Sequence, residues 1–258
     1  MFMHYFTQID DDVYEPTERV GGAWNPEEQH VCPLLGLLAQ RVERDRDARR
    51  DDGLVVARLS YDILGTLRMQ PIQLRTTVLR PGRSIELVEV VASQDGRDGV
   101  ALRAWLMQPQ DSAGVKGQAF DPMPAVDEMD GFDMTGIWGG GFIASIEARR
   151  ALHGAGSAQV WARSDTLLVE GEEQSGLAAF AGMLDLANGI AVRAEPQEVL
   201  YPNIDLTAHL FRQPEGDWVG YDTRVSFGGE GVGLTETVLH DMRGPVGTSS
   251  QILTVRPR

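Results

Sequence analysis

The chain has 258 residues, 42% hydrophobic and 24% charged, which suits one large domain or two of ordinary size in a soluble globular protein. Its net charge of −15 argues against DNA or RNA as a partner, since a nucleic-acid binder of this size is normally basic. No apolar run approaches the roughly 20 residues of a membrane-spanning helix, and the N-terminus MFMHYFTQIDDD has no basic start ahead of an apolar stretch. With one cysteine, no internal disulfide is available, and a reducing cytoplasm is the expected location.

In chain order, HYFTQI and DVYEPTER read as strands. A helix is expected over NPEEQHVCPLLGLLAQRVER, with Asn25 as its cap, Pro26 at its first position and Glu28 three residues past the cap. Pro33 inside that pattern predicts a restart or a kink. Val31, Leu34, Leu35, Leu38 and Val42 share a face and Leu37 widens it, so the helix is expected to be buried on most sides. Cys32 on this apolar helix reads as core filler rather than as a nucleophile. Four strand-like runs follow: LVVARLSYDIL, PIQLRTTVLRP, SIELVEVVASQ and GVALRAWLMQ.

Residues 110–141 are rich in Gly, Pro and acidic residues with little periodicity, which reads as a linker or, at its edges, as an ordered loop packed across one domain. Beyond it the plan repeats. GFIASIEARRAL and SAQVWARSDTLLV are expected strands, and SGLAAFAGMLDLANG is an apolar helix with Ser175 as cap and Asn188-Gly189 as a stop. NIDLTAHLFR, WVGYDTRVSF, GVGLTETVLHD and PVGTSSQILTVRP are the closing strands. SYDIL parallels NIDLT, and SIELVEVVASQDGR parallels GVGLTETVLHDMRG, so two copies of one domain are expected. The expected division is 1–115, a linker over 116–136, and 137–258. The class is α+β.

In NIDLTAHLF, alternation puts Ile204, Leu206, Ala208 and Leu210 on one face and Asp205, Thr207 and His209 on the other. Asp205 therefore faces either water or a polar cavity, and the pattern alone does not choose. His209 reads as a neighbour in that polar row. Histidines are few and scattered, and no Cys or His cluster has metal-ligand spacing, so no metal site is expected.

The run over 187–257, with GGAWNPEEQHVCPLLGLLAQ near the N-terminus, resembles the thioesterase-like, acyl-CoA thioesterase II type of double hotdog protein. The resemblance implies two antiparallel sheets, each wrapped around a central helix. It also implies a site made of an aspartate, a threonine or serine, and a glutamine, which hold the attacking water. On this sequence it points to Asp205, Ser226 (with Thr223 as the fallback) and Gln251. It implies acyl-CoA as substrate, with His30, Leu34, Leu35, Gly36 and Leu38 of the first helix at the acyl group. Backbone N–H groups near the start of that helix would hold the oxyanion.

In the first repeat Asp62 stands where Asp205 does, but Trp105 or Leu106 stands where Gln251 does, so one working site is expected. Asp62 reads as a relic or a structural hydrogen-bonding residue. Arg193, Arg212 and Arg224 are the candidates for the CoA phosphates. The expected activity is hydrolysis of an acyl thioester to free acid and CoA, in fatty acid metabolism, and it implies no organic cofactor. The alternative is a hotdog protein that binds such a ligand without cleaving it. A homo-oligomer is left open, and membrane insertion is not expected.

Overall fold

A computed structural model describes residues 3–258. The first part contains β1 (His4–Asp10), β2 (Val13–Pro16), α1 (Val31–Arg49), β3 (Val55–Ile63), β4 (Ile72–Arg80), β5 (Ile85–Gln94) and β6 (Arg97–Met107). The second contains β7 (Asp130–Gly131), β8 (Glu147–Gly154), β9 (Ser157–Arg163), β10 (Leu167–Val169), α2 (Gly176–Ala181), α3 (Ala187–Ile190), β11 (Val199–Leu200), β12 (Asp205–Leu210), β13 (Val219–Phe227), β14 (Val232–Asp241), β15 (Gly244–Thr254) and β16 (Arg256–Pro257).

Fourteen strands form one sheet in the order β10-β1-β2-β4-β5-β6-β3-β12-β15-β14-β13-β9-β8-β7, and β11 pairs with β16 apart from it. Only β1–β10 is parallel; every other pairing in the sheet is antiparallel. The internal repeat is visible at the centre, where β4-β5-β6-β3 meets β12-β15-β14-β13 edge to edge. At that seam Asp62 stands opposite Asp205 and Ser60 opposite Thr207, whose hydroxyls are 2.9 Å apart.

Alternation along the strands sets the inner face. Leu206, Ala208 and Leu210 of β12 are buried with Tyr61 and Leu59 of β3. Two tyrosines on related strands tie the sheet to the helical layer: Tyr61 donates to Leu35 O at 3.0 Å and Tyr221 to Met183 O at 2.8 Å. The side chains from Cys32 to Val42 are almost all buried, in line with the apolar arc of this segment.

Three local expectations change. First, α1 begins at Val31 with His30 as its cap, five residues after the expected start. Asn25 instead closes a turn, accepting from the Glu27 N–H at 3.1 Å. Pro33 therefore falls in the first helical turn, where no intrahelical bond needs its missing N–H, and α1 runs on past it as one helix.

Second, the second helical segment is broken. Ser175 caps α2 as expected, accepting from the Ala178 N–H at 3.0 Å, but α2 ends at Gly182. A 3₁₀ turn over Leu184–Leu186 then leads into α3. The helices α1 and α2 cross closely at Gly36, where a Cβ would lie 2.8 Å from Ala178 O.

Third, the expected linker carries structure. It holds β7 and three short 3₁₀ turns, and Trp161 Nε1 donates to Pro124 O at 2.9 Å. Its glycine run makes a backbone crossing: a Cβ on Gly140, whose φ is +92°, would meet Gly21 O at 2.4 Å.

Candidate active site

A cavity of about 330 Å³ opens between the start of α1 and the 3₁₀ turn before α3. Val31, Leu34 and Val100 line it from the first half, and Trp138, Asp185 and Asn203 from the second. Most of its lining is apolar, with few polar groups converging, which is the usual character of a small-molecule site.

The polar centre is Asp185. It sits in the 3₁₀ turn created by the stop at Gly182, between the apolar neighbours Leu184 and Leu186, and it is 8% exposed. Its Oδ1 accepts from Asn203 Nδ2 at 2.6 Å and from Gln251 Nε2 at 2.7 Å. Asn203 lies just before β12 and also donates to Asp205 O at 3.2 Å, which fixes its amide. Gln251 reaches the site because β15 places Ser249, Gln251 and Leu253 on the inner face. Burial raises the Asp185 pKa to about 7, and the two amide donors only partly oppose it.

His30 faces Asp185 across the cavity floor. Its Nδ1 accepts from the Cys32 N–H at 3.2 Å, and its ring lies against Phe142 at a centroid distance of 4.4 Å. His30 borders the cavity, yet the protein around it is dense enough to lower its pKa to about 3 by desolvation. Burial pushes the Cys32 thiol up, and the nearby Asp185 charge adds to this.

A ring nitrogen of His30, Cys32 Sγ and an Asp185 carboxylate oxygen all lie within 4.8 Å of one another, the only such trio of potential metal ligands among the described residues. Three mixed ligands match the count of an open zinc centre. Two facts speak against a built metal site: His30 Nδ1 is committed to the helix cap, and Asp185 Oδ1 to two N–H donors. The cluster suits proton chemistry.

Of the residues expected at the site from sequence, Gln251 bonds to Asp185, and His30 and Leu34 line the cavity. Asp205 and Ser226 do not. Asp205 points to the outer face of β12, where its Oδ1 accepts from the Ile252 N–H at 2.7 Å. Ser226 is exposed because β13 turns Thr223 and Val225 inward and Ser226 outward. Thr223 is buried but shares a hydrogen bond with the Thr237 hydroxyl at 2.8 Å, away from Asp185. Leu35, Gly36 and Leu38 lie behind the cavity wall in the core, with Gly36 at the helix crossing.

Arg212 is bound bidentately to Asp241, at 2.5 and 2.6 Å, and is not free for a phosphate. Arg224 lies 3.8 Å from Asp222 and Arg193 rests over Phe227. Arg256 is the arginine that borders the cavity.

Asp185 and Asn203 are the residues that sequence reasoning missed. A lone carboxylate inside GMLDLANG, flanked by leucines, was the available signal for the first. Asn203 had none of comparable strength.

Residues 20–107 match the family model of the acyl-CoA thioesterase N-terminal domain, and residues 118–255 that of the C-terminal domain. The chain belongs to the acyl-CoA thioesterase family. It is a thioester hydrolase by that membership. No curated protein matches the chain.

Solved structures similar to this family member include the acyl-CoA thioesterase II TesB2 from Mycobacterium marinum, 20% identical over 98% of this chain and 96% of that one, with a TM-score of 0.66. The tesB protein of Mycobacterium avium subs paratuberculosis is 13% identical over 98% and 96%, with a TM-score of 0.71. A conserved protein of unknown function with a hot dog fold from Alicyclobacillus acidocaldarius is 12% identical over 96% and 95%, with a TM-score of 0.75. At these identities the likeness establishes the hotdog fold. No described helix of this thioesterase-family chain is long and apolar enough to cross a membrane.

Proposed function

We propose that the protein hydrolyses an acyl-CoA thioester to the free acid and CoA, with Asp185 as the base that activates water. The observation that carries this reading is the Asp185 carboxylate, buried at the cavity floor with two amide N–H donors on one oxygen and a pKa raised to about 7. A carboxylate tuned near neutrality is a competent general base, an effect worth about 10²–10⁴ in rate. The Gln251 and Asn203 amides hold Oδ1, which leaves Oδ2 to take a proton from water. Water adds to the thioester carbon, the carbonyl oxygen becomes an oxyanion, and collapse expels the CoA thiolate. The proton taken by Asp185 returns to the products.

The acyl group lies in the apolar cavity beside Leu34, Val31 and Trp138. The aspartate and glutamine of the expected arrangement are then Asp185 and Gln251, with the Asn203 amide in place of a hydroxyl. Two hotdog units, over about 1–115 and 137–258, side by side in a double hotdog, account for one sheet with an internal repeat. The segment 116–136 joins the two units, and the Trp161 Nε1–Pro124 O bond supports its packing on the second. One buried thiol and no internal disulfide suit the cytoplasm, and acyl-CoA hydrolysis suits fatty acid metabolism.

The reading is tested by thiol release from acetyl-, octanoyl- and palmitoyl-CoA. Turnover of one of them that is lost in Asp185→Asn is the expected result. Tight binding of all three without thiol release would make this a non-catalytic ligand-binding member of the family.

A further inference from the structure

Given the thioesterase reading above, the geometry points to the His30 side chain as a catalytic residue: its Nε2–H donates to the oxyanion of the tetrahedral intermediate, beside the backbone N–H of Val31. An α-helix leaves four N–H groups at its N-terminus without intrahelical partners, and these are the customary anion donors. In α1 they are depleted. The His30 N–H is bonded to Val20 O at 2.7 Å. The Cys32 N–H is bonded to His30 Nδ1 at 3.2 Å. Pro33 has no N–H. Val31 alone keeps a donor, and Val31 borders the cavity. A single donor is a weak oxyanion site, and removing one donor from such a site typically costs about 10²–10³ in kcat.

The cap that consumes the Cys32 N–H supplies the replacement. A backbone N–H can only donate, so His30 Nδ1 must present its lone pair. A neutral imidazole has one N–H, so the proton is fixed on Nε2. A doubly protonated ring would turn Nδ1 into a donor and break the cap. The fold therefore selects one tautomer. The strongly lowered pKa of His30 agrees with a ring that stays neutral across the working range.

Among the described residues the His30 ring makes no second hydrogen bond, and it borders the cavity. Phe142 holds its plane at a 39° tilt. A ring nitrogen lies within 4.8 Å of an Asp185 oxygen. The imidazole and the proposed base therefore stand side by side at the same end of the cavity, where the carbonyl oxygen and the attacking water of one thioester must both be held.

The test pairs kinetics with a reading of the tautomer. His30→Asn keeps a side-chain oxygen able to cap Cys32 and removes the ring donor. Its kcat should fall by about 10²-fold with KM nearly unchanged and the fold retained. In the parent, ¹⁵N-histidine NMR should show His30 protonated at Nε2 and bare at Nδ1 from pH 5 to 8. A His30 protonated at Nδ1, or a folded His30→Asn enzyme within about threefold of parental kcat, would overturn the role of His30 and leave the thioesterase reading intact. A parent that releases no thiol from any acyl-CoA would instead defeat the thioesterase reading, while the NMR result would still decide the tautomer.

Discussion

Gln251 Nε2 donates to Asp185 Oδ1 at 2.7 Å, joining the inner face of β15 to a 3₁₀ turn 66 residues earlier in the chain. The Gln251 Oε1 on the other side of the amide is buried without a partner, and so is the hydroxyl of Thr235, which stands opposite Gln251 in the β14–β15 register. The amide thus has one strong bond, and that bond is to the proposed base. Gln251→Ala should lower kcat by at least about tenfold and move the acidic limb of the pH profile upward. Loss of a donor to the carboxylate disfavours its charged form. An unmoved limb with a raised KM would assign Gln251 to substrate contact instead.

The pH profile of the parent follows from the sign of the Asp185 shift. Burial raises its pKa to about 7, so the group is mostly protonated below that value and ionised above it. A base must be ionised to accept a proton. kcat/KM should therefore rise with pH and level off above about 7. A flat profile from pH 5 to 8 would remove Asp185 from that role.

Stability should run the other way. The folded-state pKa lies above the unfolded reference of 3.8. Below that reference the acid is protonated in both states and the native state loses nothing. Between about 4 and 7 the unfolded chain ionises first, so stability falls as pH rises, and it is fully reduced above about 7. At about 1.4 kcal/mol per pKa unit, the penalty is on the order of 4 kcal/mol at most. Asp185→Asn, whose side-chain oxygen can still accept from Gln251 and Asn203, should raise Tm at pH 8 and change it far less at pH 4. An equal Tm change at both pH values would contradict the shift.

Gly36 tests the packing behind the site. A Cβ there would lie 2.8 Å from Ala178 O and 2.9 Å from the Gly182 Cα, both backbone atoms. Gly36→Ala should therefore push α2 away from α1 and cost about 1–3 kcal/mol in denaturant unfolding. Because α2 leads directly to the turn that carries Asp185, activity should fall with stability. An unchanged midpoint would show that the crossing is loose.

Much of this fold was legible in the chain. The eight long strands of β3–β6 and β12–β15 follow period-2 alternation, and the Ser175 cap stands where the sequence put it. The alternation in NIDLTAHLF also placed Asp205 on the face away from Leu206 and Ala208, and that face proved to be the outer one. The alternation leaves water and a polar cavity both open for that face, and only the fold resolves it to the outer side, with the Asp205 carboxylate on the Ile252 N–H. Asp185 stayed hidden for a physical reason. GMLDLANG is apolar on all sides and reads as continuous helix, because periodicity does not register a stop at Gly182 or a 3₁₀ turn after it. Asn203 stayed hidden because its meaning lies in a bond to a residue 18 positions away across the core. Only the folded chain brings the two together.

The most direct test of the account sets two near-isosteric variants side by side: thiol release from the acyl-CoA that the parent turns over fastest, measured for Asp185→Asn and Asp205→Asn at pH 8. Asp205 lies on the outer face with its carboxylate on the Ile252 N–H, opposite the like-charged Asp62. Asp185→Asn should lose about 10²-fold or more in rate, and Asp205→Asn should stay within about twofold of parental, since a surface substitution of this kind is usually worth less than about 0.5 kcal/mol. A folded Asp185→Asn enzyme that keeps the parental rate, or a loss confined to Asp205→Asn, would contradict the role of Asp185 as the base.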